Sequence, residues 1–217
     1  MDAGCLISFE GLDGAGKTTQ IELLEGWLAE RHFAYIRTRE PGGTALGTEL
    51  RHLLLHRPEL KITAQAEALL FQADRAQHFS TVVIPALQEG KLVITDRCFD
   101  ASIAYQGYAR GVGVELVEQL SLLATQGRVP DLTILLDLDP TQVYMRTGAA
   151  RDQSGLREKQ TRFDTEAESF HRRVQEGFRL LARTHPDRIK VVDASLPPEQ
   201  IHQEIIRLVI PLLKPSC

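Results

Sequence analysis

The sequence predicts an α/β protein with a doubly wound, five-stranded parallel sheet that is flanked by helices. Short apolar runs alternate with longer segments of helical periodicity along the 217 residues, which favours a parallel sheet covered on both faces. The short runs are nearly all apolar, as expected of strands buried on both sides. No internal repeat or low-complexity segment interrupts the alternation, and we therefore expect one domain over residues 1–217.

The first strand and first helix have the clearest signals: an apolar, β-prone run is followed by a glycine-rich loop and then by helical apolar spacing from Gln20 to Leu28. The predicted strands are Cys5–Phe9, Ala34–Thr38, Leu92–Thr95, Leu132–Leu136 and Ile189–Val192. Helical periodicity fills the intervals and predicts helices at Lys17–Arg31, Thr44–Leu55, Thr63–Glu89, Val114–Thr125, Pro140–Thr147, Thr165–Thr184 and Pro198–Leu213. The segment from Gly148 to Arg162 lacks this periodicity and is predicted to be an exposed, mobile lid.

Composition and charge narrow the class of protein. Apolar residues make up 43% and charged residues 25% of the chain, which is typical of a globular protein. The net charge of −4 and the lack of a long basic run disfavour nucleic acid as the main partner. No apolar run has the length of a membrane span, and no signal-peptide pattern is present. The cysteines at 5, 98 and 217 have neither metal-ligand spacing nor a pairing framework, so we expect a reduced, cytoplasmic protein.

The most informative motif is Gly11-Leu12-Asp13-Gly14-Ala15-Gly16-Lys17-Thr18, which reads G-x-x-x-x-G-K-T between a strand and a helix. In that context the pattern predicts a phosphate-binding loop, because glycines let backbone N–H groups curl around an anion at a helix N-terminus. Lys17 would reach the β- and γ-phosphates of a nucleotide, and the Thr18 hydroxyl would bind Mg²⁺. The alternative is a chance glycine turn before a helix.

The rest of the chain separates the classes of phosphate-loop protein. A typical GTPase reads guanine with an Asn-Lys-x-Asp element, which is excluded because the sequence contains no asparagine. A motor ATPase needs a sensor region, for which this chain leaves little room. A kinase needs a second anion site and cations to bridge the two sites. Candidate cations are the arginines at 39, 51, 75, 97 and 110 and those of the lid.

Three further patterns have both a functional and an ordinary interpretation. Arg39 after the second strand can clamp an acceptor phosphate, with Thr44 capping the next helix, or it can be a surface arginine beside a turn. Asp96-Arg97 after the third strand can orient Mg²⁺ and neutralise transferred charge, or form a surface pair. Phe71 and Arg75, four apart on a helix, can stack on a base and bind its edge, or belong to the core.

Taken together, these segments resemble bacterial thymidylate kinases, a family of phosphate-loop nucleoside-monophosphate kinases. The resemblance rests on motifs in one order and spacing, and it extends from Leu6 to about Leu213. They are Phe9–Thr19 around the phosphate loop, Thr38-Arg39-Glu40-Pro41-Gly42-Gly43-Thr44, Asp96-Arg97, Ala104-Tyr105-Gln106-Gly107 and Pro130-Asp131-Leu132-Thr133. The resemblance implies a phosphate-loop kinase fold, ATP and dTMP as substrates, Mg²⁺, and a homodimer.

The resemblance also implies roles for individual residues. The loop from Gly11 to Thr18 would hold ATP, with Asp13 facing the sugar 3′-hydroxyl of dTMP. Arg39 and Arg51 would bind the acceptor phosphate. Thymine would stack on Phe71, with its edge read by Arg75, Ser102 and Gln106, while Tyr105 would lie under the deoxyribose and crowd a 2′-hydroxyl. Asp96 and Arg97 match the catalytic Asp-Arg pair, with Asp96 near the metal.

The lid carries the last expectation. Some relatives have an arginine inside the phosphate loop, but this chain has Gly14 there. In that subtype the transition-state cation comes from the lid, where Arg151, Arg157 and Arg162 are candidates. Arg151 is the first choice, because it lies where the family's Ala-Arg segment falls. The alternatives are another nucleoside-monophosphate kinase, or a nucleotide-dependent switch or binding module.

Overall fold

The computed structural model describes residues 4–143 and 161–213, and it contains the predicted five-stranded parallel sheet. The strand order is β2-β3-β1-β4-β5, so β3 lies between the first two strands of the sequence. The strands are β1 Leu6–Glu10, β2 Tyr35–Arg39, β3 Leu92–Asp96, β4 Leu132–Asp137 and β5 Ile189–Asp193.

Each strand ends one residue later than the apolar pattern predicts, and each of these last residues is charged. The register pairs Arg39 with Asp96 and Phe9 with Asp96, so the ladder continues into the charged positions. Ladder hydrogen bonds join backbone groups, so they form whether the side chain is polar or apolar. Burial on both faces holds for the three central strands, whereas the edge strands β2 and β5 are partly exposed.

The helices confirm most of the predicted elements. Those with regular α geometry are α1 Lys17–Glu30, α2 Ala45–His56, α3 Ala64–His78, α4 Ile84–Gln88, α5 Phe99–Ser102, α6 Val114–Ala124, α7 Glu168–Thr184 and α8 Pro198–Val209. Residues 140–143 are also helical, while the remainder of the helix predicted to Thr147 lies outside the described residues. Short 3₁₀ turns occupy Pro58–Leu60, Arg162–Thr165 and Ile210–Leu212.

Two helical predictions need correction. The helix predicted from Thr63 to Glu89 is divided by a wide π-type turn, Phe79–Val83, shortly before Pro85. Proline cannot donate to the preceding turn and its ring crowds the carbonyl there, so the backbone widens at this point. The second correction is a helical segment that the pattern missed: α5 and the π-type turn Ile103–Ala109 that continues it. Nearly all of this segment is buried, so it has no polar face to produce a periodic signal.

Two apolar cores cover the two faces of the sheet, as a doubly wound fold requires. Neighbouring residues of β1 alternate between them, with Leu6 in one core and Ile7 in the other. The core around Ile7 is closed by α1 and α8, and the core around Leu6 by α2 to α7. No helix within the described ranges is long and apolar enough to cross a membrane.

Candidate active site

The phosphate loop joins β1 to α1 and requires glycine at defined positions. Gly11, Gly14 and Gly16 have φ angles of 132°, 92° and 97°, which L side chains rarely adopt. A Cβ atom on Gly11 would lie 2.5 Å from the carbonyl oxygen of Leu136. Gly16 directly precedes the first residue of α1, so the loop leads into the N-terminal end of that helix, where N–H groups favour an anion.

Lys17 is folded back onto this loop. Its ammonium group donates to the carbonyl oxygens of Gly11 at 3.2 Å and Leu12 at 3.1 Å, with Asp13 Oδ1 at 3.6 Å. Burial, followed by the nearby charge of Arg97, lowers the pKa of Lys17. Thr18 is the next residue and is exposed in the first turn of α1. Lys17 can therefore exchange backbone carbonyls for phosphate oxygens with a small movement.

Arg97, directly after β3, brings three predicted site residues together. Its Nη2 donates to Asp13 Oδ1 at 2.7 Å and to the Tyr105 hydroxyl at 3.3 Å, and its guanidinium lies 5.1 Å from the Tyr105 ring centroid. Arg97 has a φ of 68°, an uncommon conformation for a residue with a side chain. Burial opposes ionisation of Asp13, but the charges of Arg97 and Lys17 outweigh it and lower the pKa of that carboxyl.

Glu10 at the end of β1 is a buried acid of the site that the motif analysis did not single out. Its Oε1 accepts a hydrogen bond from the Cys98 N–H at 2.8 Å, whereas its Oε2 has no hydrogen-bond partner among the described residues. Arg97 Nη1 is 3.9 Å from that oxygen and likewise has no hydrogen-bond partner in the described part of the chain. Burial raises the pKa of Glu10 to about 8, against the opposing charge of Arg97.

Asp96 ends β3 and has one buried carboxylate oxygen, Oδ1, without a hydrogen-bond partner in residues 4–143 and 161–213. Carboxylate and hydroxyl oxygens are the protein ligands that Mg²⁺ prefers, usually with waters and phosphate oxygens completing the shell. An orphaned carboxylate oxygen at the carboxyl end of β3 therefore fits the predicted metal, with Asp96 and Thr18, in the first turn of α1, as the residues that would hold it.

The predicted acceptor loop follows β2, and glycine is again required. A Cβ atom on Gly42 would lie 3.1 Å from Arg51 Cδ and 3.4 Å from Arg39 Nε, so the two predicted phosphate-binding arginines flank this glycine. Arg51 also donates to the carbonyl oxygen of Pro41 at 3.0 Å. Thr44 caps α2 as predicted, because its hydroxyl accepts the Gly47 N–H at 2.9 Å.

A buried charge network supports this loop from below. Glu40, which is 4% exposed, contacts Arg75 at 2.8 Å and His78 Nδ1 at 2.9 Å. His78 Nε2 lies 2.6 Å from the Thr38 hydroxyl, so the network reaches back to β2. Burial opposes ionisation of Glu40, but Arg75 and His78 outweigh it and lower its pKa.

Arg75 is 1% exposed, and its donors are engaged within the protein. Besides the Nε bond to Glu40, Nη1 donates to Gln72 Oε1 at 2.9 Å and to the Ser121 hydroxyl at 3.4 Å. Its Nη2 donates to the Ser102 hydroxyl at 3.1 Å. Arg75 therefore forms a buried salt bridge with Glu40, and a base carbonyl would have to replace one of the serine hydroxyls.

An aromatic cluster begins at Phe71, which precedes Arg75 by four residues on α3. Phe71 is half-buried, and its ring centroid lies 6.4 Å from that of Phe163. Phe163 in turn meets the Tyr105 ring edge-on at 5.5 Å. The ring of Phe170 completes the cluster at 6.1 Å from Tyr105. The sequence analysis did not single out Phe163, because one phenylalanine beside a polar segment gives no periodic signal.

The remaining predicted residues divide between the site and the part of the chain that is not described. Ser102 and Gln106 are buried on α5 and the π-type turn after it; Ser102 accepts from Arg75 Nη2, and Gln106 follows Tyr105 in the chain. Arg151 and Arg157, and the lid from Gly148 to Gln160, lie outside the described residues. Arg162 is described, and it donates to Glu67 Oε2 at 2.6 Å and to the Leu54 carbonyl oxygen at 3.2 Å.

Comparison with known proteins gives a consistent result. The model of the thymidylate kinase family matches residues 9–205. A thymidylate kinase of Leifsonia xyli is 50% identical over 202 residues, covering 93% of this chain and 92% of the relative. A thymidylate kinase of Clostridium novyi is 40% identical over 205 residues, covering 94% of this chain and 98% of the relative. The crystal structure of thymidylate kinase from Ehrlichia chaffeensis superposes with a TM-score of 0.74 at 33% identity, covering 96% of this chain and 99% of that one.

Proposed function

The chain belongs to the thymidylate kinase family, and on that premise we propose how its residues divide the transfer of a phosphoryl group from ATP to dTMP. An oxygen of the dTMP phosphate attacks the γ-phosphorus of ATP, the bond to the β–γ bridging oxygen breaks, and dTDP and ADP result. This chemistry needs no covalent protein intermediate. It depends on alignment, on neutralised charge and on the exclusion of water.

The observation that carries the proposal is the strand order. Two loops suited to anions, Gly11–Thr18 after β1 and Arg39–Thr44 after β2, are separated in the sheet by β3. The end of β3 carries Asp96 and Arg97, which therefore lie between the two loops. Ligands of parallel sheets bind beyond the carboxyl ends of the strands. A donor phosphate on one loop and an acceptor phosphate on the other would meet at the Asp-Arg pair.

On the donor side, the loop N–H groups and Lys17 bind the ATP phosphates, and Lys17 stabilises charge on the transferred group. Thr18 and Asp96 would hold Mg²⁺, which would supply further positive charge at the phosphate oxygens. Arg97 faces the reacting phosphates, and its link to Asp13 at 2.7 Å keeps the guanidinium in place.

On the acceptor side, Arg39 and Arg51 bind the dTMP phosphate, Asp13 faces the 3′-hydroxyl, and Tyr105 occupies the space that a 2′-hydroxyl would need. Thymine stacks on Phe71, and its edge meets Arg75, Ser102 and Gln106. In that complex an Arg75 Nη group exchanges a serine hydroxyl for the base oxygen O4. This exchange costs little, because one neutral acceptor replaces another.

The lid and the assembly complete the proposal. Arg151 delivers positive charge to the transferred group when the lid closes, since Gly14 provides none within the phosphate loop. The protein acts as a homodimer, with the exposed leucines of α3 and α6 at the contact; their exposure supports this arrangement. The cytoplasmic location remains a prediction from the sequence.

The test is one coupled assay of ADP release with Mg²⁺. ATP with dTMP should give turnover, while ATP alone should give almost none, which separates a kinase from a nucleotide-dependent switch. Replacing dTMP by dCMP, dAMP or dGMP should lower kcat/KM by orders of magnitude. Equal turnover with another monophosphate would reassign the acceptor, and ADP release without any acceptor would contradict the proposed transfer.

A further inference from the structure

Glu67 in the first turn of α3 is a buried carboxylate that joins three parts of the base side of the site. Its side chain is about 1% exposed. Oε1 accepts from Gln106 Nε2 at 2.9 Å and from Arg110 Nε at 3.3 Å, while Oε2 accepts from Arg162 Nη2 at 2.6 Å. Glu67 thus connects α3 with the π-type turn that carries Gln106 and with the segment that returns from the lid.

These contacts determine which way the Gln106 amide points. A carboxylate only accepts hydrogen bonds, so the group facing Glu67 must be the amide nitrogen. The opposite orientation would place the Gln106 carbonyl oxygen against a carboxylate oxygen, replacing a charge-assisted hydrogen bond by repulsion. Gln106 Oε1 is therefore directed away from Glu67.

The orientation matters because pyrimidines differ at the ring position between their two exocyclic groups. Thymine and uracil carry an N–H there, whereas cytosine carries a bare nitrogen that accepts. A fixed carbonyl oxygen accepts a hydrogen bond from the ring N–H of thymine or uracil. With cytosine the same oxygen faces the ring nitrogen, so two acceptors oppose each other. An amide free to turn would serve both equally well.

We propose that Glu67 is a positioning residue for base choice: by holding the Gln106 amide nitrogen it presents a carbonyl oxygen to the ring N–H of thymine. This inference rests on the proposed function, in which Gln106 meets the base edge. Glu67 does not touch the substrate, and its effect passes through Gln106. The same carboxylate binds Arg162, so the acceptor orientation is coupled to the segment that follows the lid.

Glu67→Gln tests the inference. The new side chain keeps its carbonyl for Arg162, whose contact is the shorter, and gives up the 3.3 Å contact to Arg110. Its amide nitrogen then faces Gln106, which turns and presents its own nitrogen to the base. The kcat/KM ratio of dTMP to dCMP should fall about tenfold or more, as expected for one misoriented hydrogen bond. The change should appear in KM for dTMP, with kcat at saturation largely kept. The ratio of dTMP to dUMP should stay constant, because both bases carry the ring N–H.

Arg162→Gln is the matched control. It removes the ion pair to Glu67 and leaves the Gln106–Glu67 bond, so its dTMP-to-dCMP ratio should remain that of the wild type. An unchanged ratio in Glu67→Gln, or an equal fall in Arg162→Gln, would overturn the inference. Failure of the proposed function would look different, because the wild type itself would then not phosphorylate dTMP.

A second measurement uses the wild type, in case Glu67→Gln does not fold. The side-chain amide protons of ¹⁵N-labelled Gln106, assigned with Gln106→Met, should be protected from exchange and remain protected when dTMP binds. A cross-peak between these protons and the thymine ring N–H, with loss of protection, would mean that the amide nitrogen has turned to the base, and the inference would be wrong.

Discussion

Lys17 rests against the carbonyl oxygens of its own loop, so phosphate binding replaces one set of oxygens around its ammonium group by another. We expect Lys17→Ala to lower kcat for dTMP phosphorylation about 10²–10³-fold, since it removes a positive charge directed at the transferred group. The affinity for dTMP, measured by calorimetry, should remain near that of the wild type.

Lys190→Ala is the control for Lys17, because Lys190 lies on the edge strand β5, away from the phosphate loop, and donates to the carbonyl oxygen of Pro186 before that strand. Its kinetics should be those of the wild type. Turnover near the wild-type rate in Lys17→Ala would contradict the assignment of Gly11–Thr18 as the phosphate site.

Glu10 makes stability depend on pH. Its pKa is about 8 in the folded protein against 4.5 as the ordinary value, so between these limits the folded state holds a proton that the unfolded state releases. The contribution of Glu10 to the free energy of unfolding should therefore be fully present below about pH 4.5 and be lost as the pH rises through 8. Glu10→Gln should flatten this decline, and denaturant titrations at about pH 6.5, 8 and 9 measure it.

The experiment must distinguish the effect of Glu10 from that of Asp74. Burial raises the pKa of Asp74 to about 6. Above about pH 6.5 most of the Asp74 contribution is already lost, so Asp74→Asn should decline with the wild type in this range. If Glu10→Gln and the wild type decline in parallel across the same titration, Glu10 does not carry the raised pKa.

At the scale of elements, periodicity and motif spacing predicted most of what the structure contains. All five strands were predictable, because apolar runs are local signals. The strand order, which places β3 between β1 and β2, was not predicted. Asp137 lies at the carboxyl end of β4, where α7 holds it through Gln175 at 2.8 Å and Arg179 at 3.0 Å. The segment Phe99–Ala109 was missed, because a helix buried on all sides lacks a polar stripe.

The carboxylates beneath the site were not predictable from the sequence. Glu10, Glu40 and Glu67 acquire their roles only through partners 35 or more residues away, such as Arg75 for Glu40. A single acid beside an apolar run resembles any surface acid. Motifs therefore located the groups predicted to contact substrate, whereas the groups that hold them required the fold.

The acceptor loop yields a prediction at this scale. A Cβ atom on Gly43 would lie 2.5 Å from His78 Cδ2 and 2.7 Å from the Thr38 hydroxyl oxygen, so Gly43→Ala must displace the loop. We expect KM for dTMP to rise about tenfold and the free energy of unfolding to fall by about 1–3 kcal/mol, as for overpacking. KM for ATP should change little, because the phosphate loop follows a different strand. Steady-state kinetics and denaturant unfolding measure these effects.

Gly26→Ala is the matched control, because Gly26 is exposed within α1 and a Cβ atom there would meet nothing within 4 Å in the described part of the chain beyond its own helix. Helix propensity should stabilise this variant by about 0.5–1 kcal/mol without a kinetic change. A Gly43→Ala enzyme with wild-type KM for dTMP would show that Arg39 and Arg51 do not depend on this loop.

At the scale of the whole molecule, α3, which carries residues proposed to bind thymine, and its neighbour α6 both expose leucines on their outer surfaces. Phe71 and Arg75 lie on α3, and α3 packs against both α2 and α6. On the outside, Leu69 of α3 is 56% exposed, and Leu116 and Leu123 of α6 are 50% and 78% exposed. Leu116 and Leu123 are seven residues apart and so lie on one face of their helix. A partner covering this face would hold α3, and with it the thymine pocket, in place.

Leu123→Lys tests the homodimer and its link to the site. Wild type should sediment at about twice the 24.2 kDa mass of one chain. The substitution removes an apolar contact worth about 1.5–3 kcal/mol from each copy and adds like charges, so the dimer should dissociate at micromolar concentrations. KM for dTMP should rise with dissociation while KM for ATP holds, because the residues proposed to bind the base lie on α3, whereas the phosphate loop lies between β1 and α1. Leu180→Lys, at an exposed leucine of α7, should remain dimeric with unchanged kinetics. A wild type that sediments as a monomer would contradict the homodimer, and a monomeric Leu123→Lys with unchanged KM would show that the pocket does not depend on the partner.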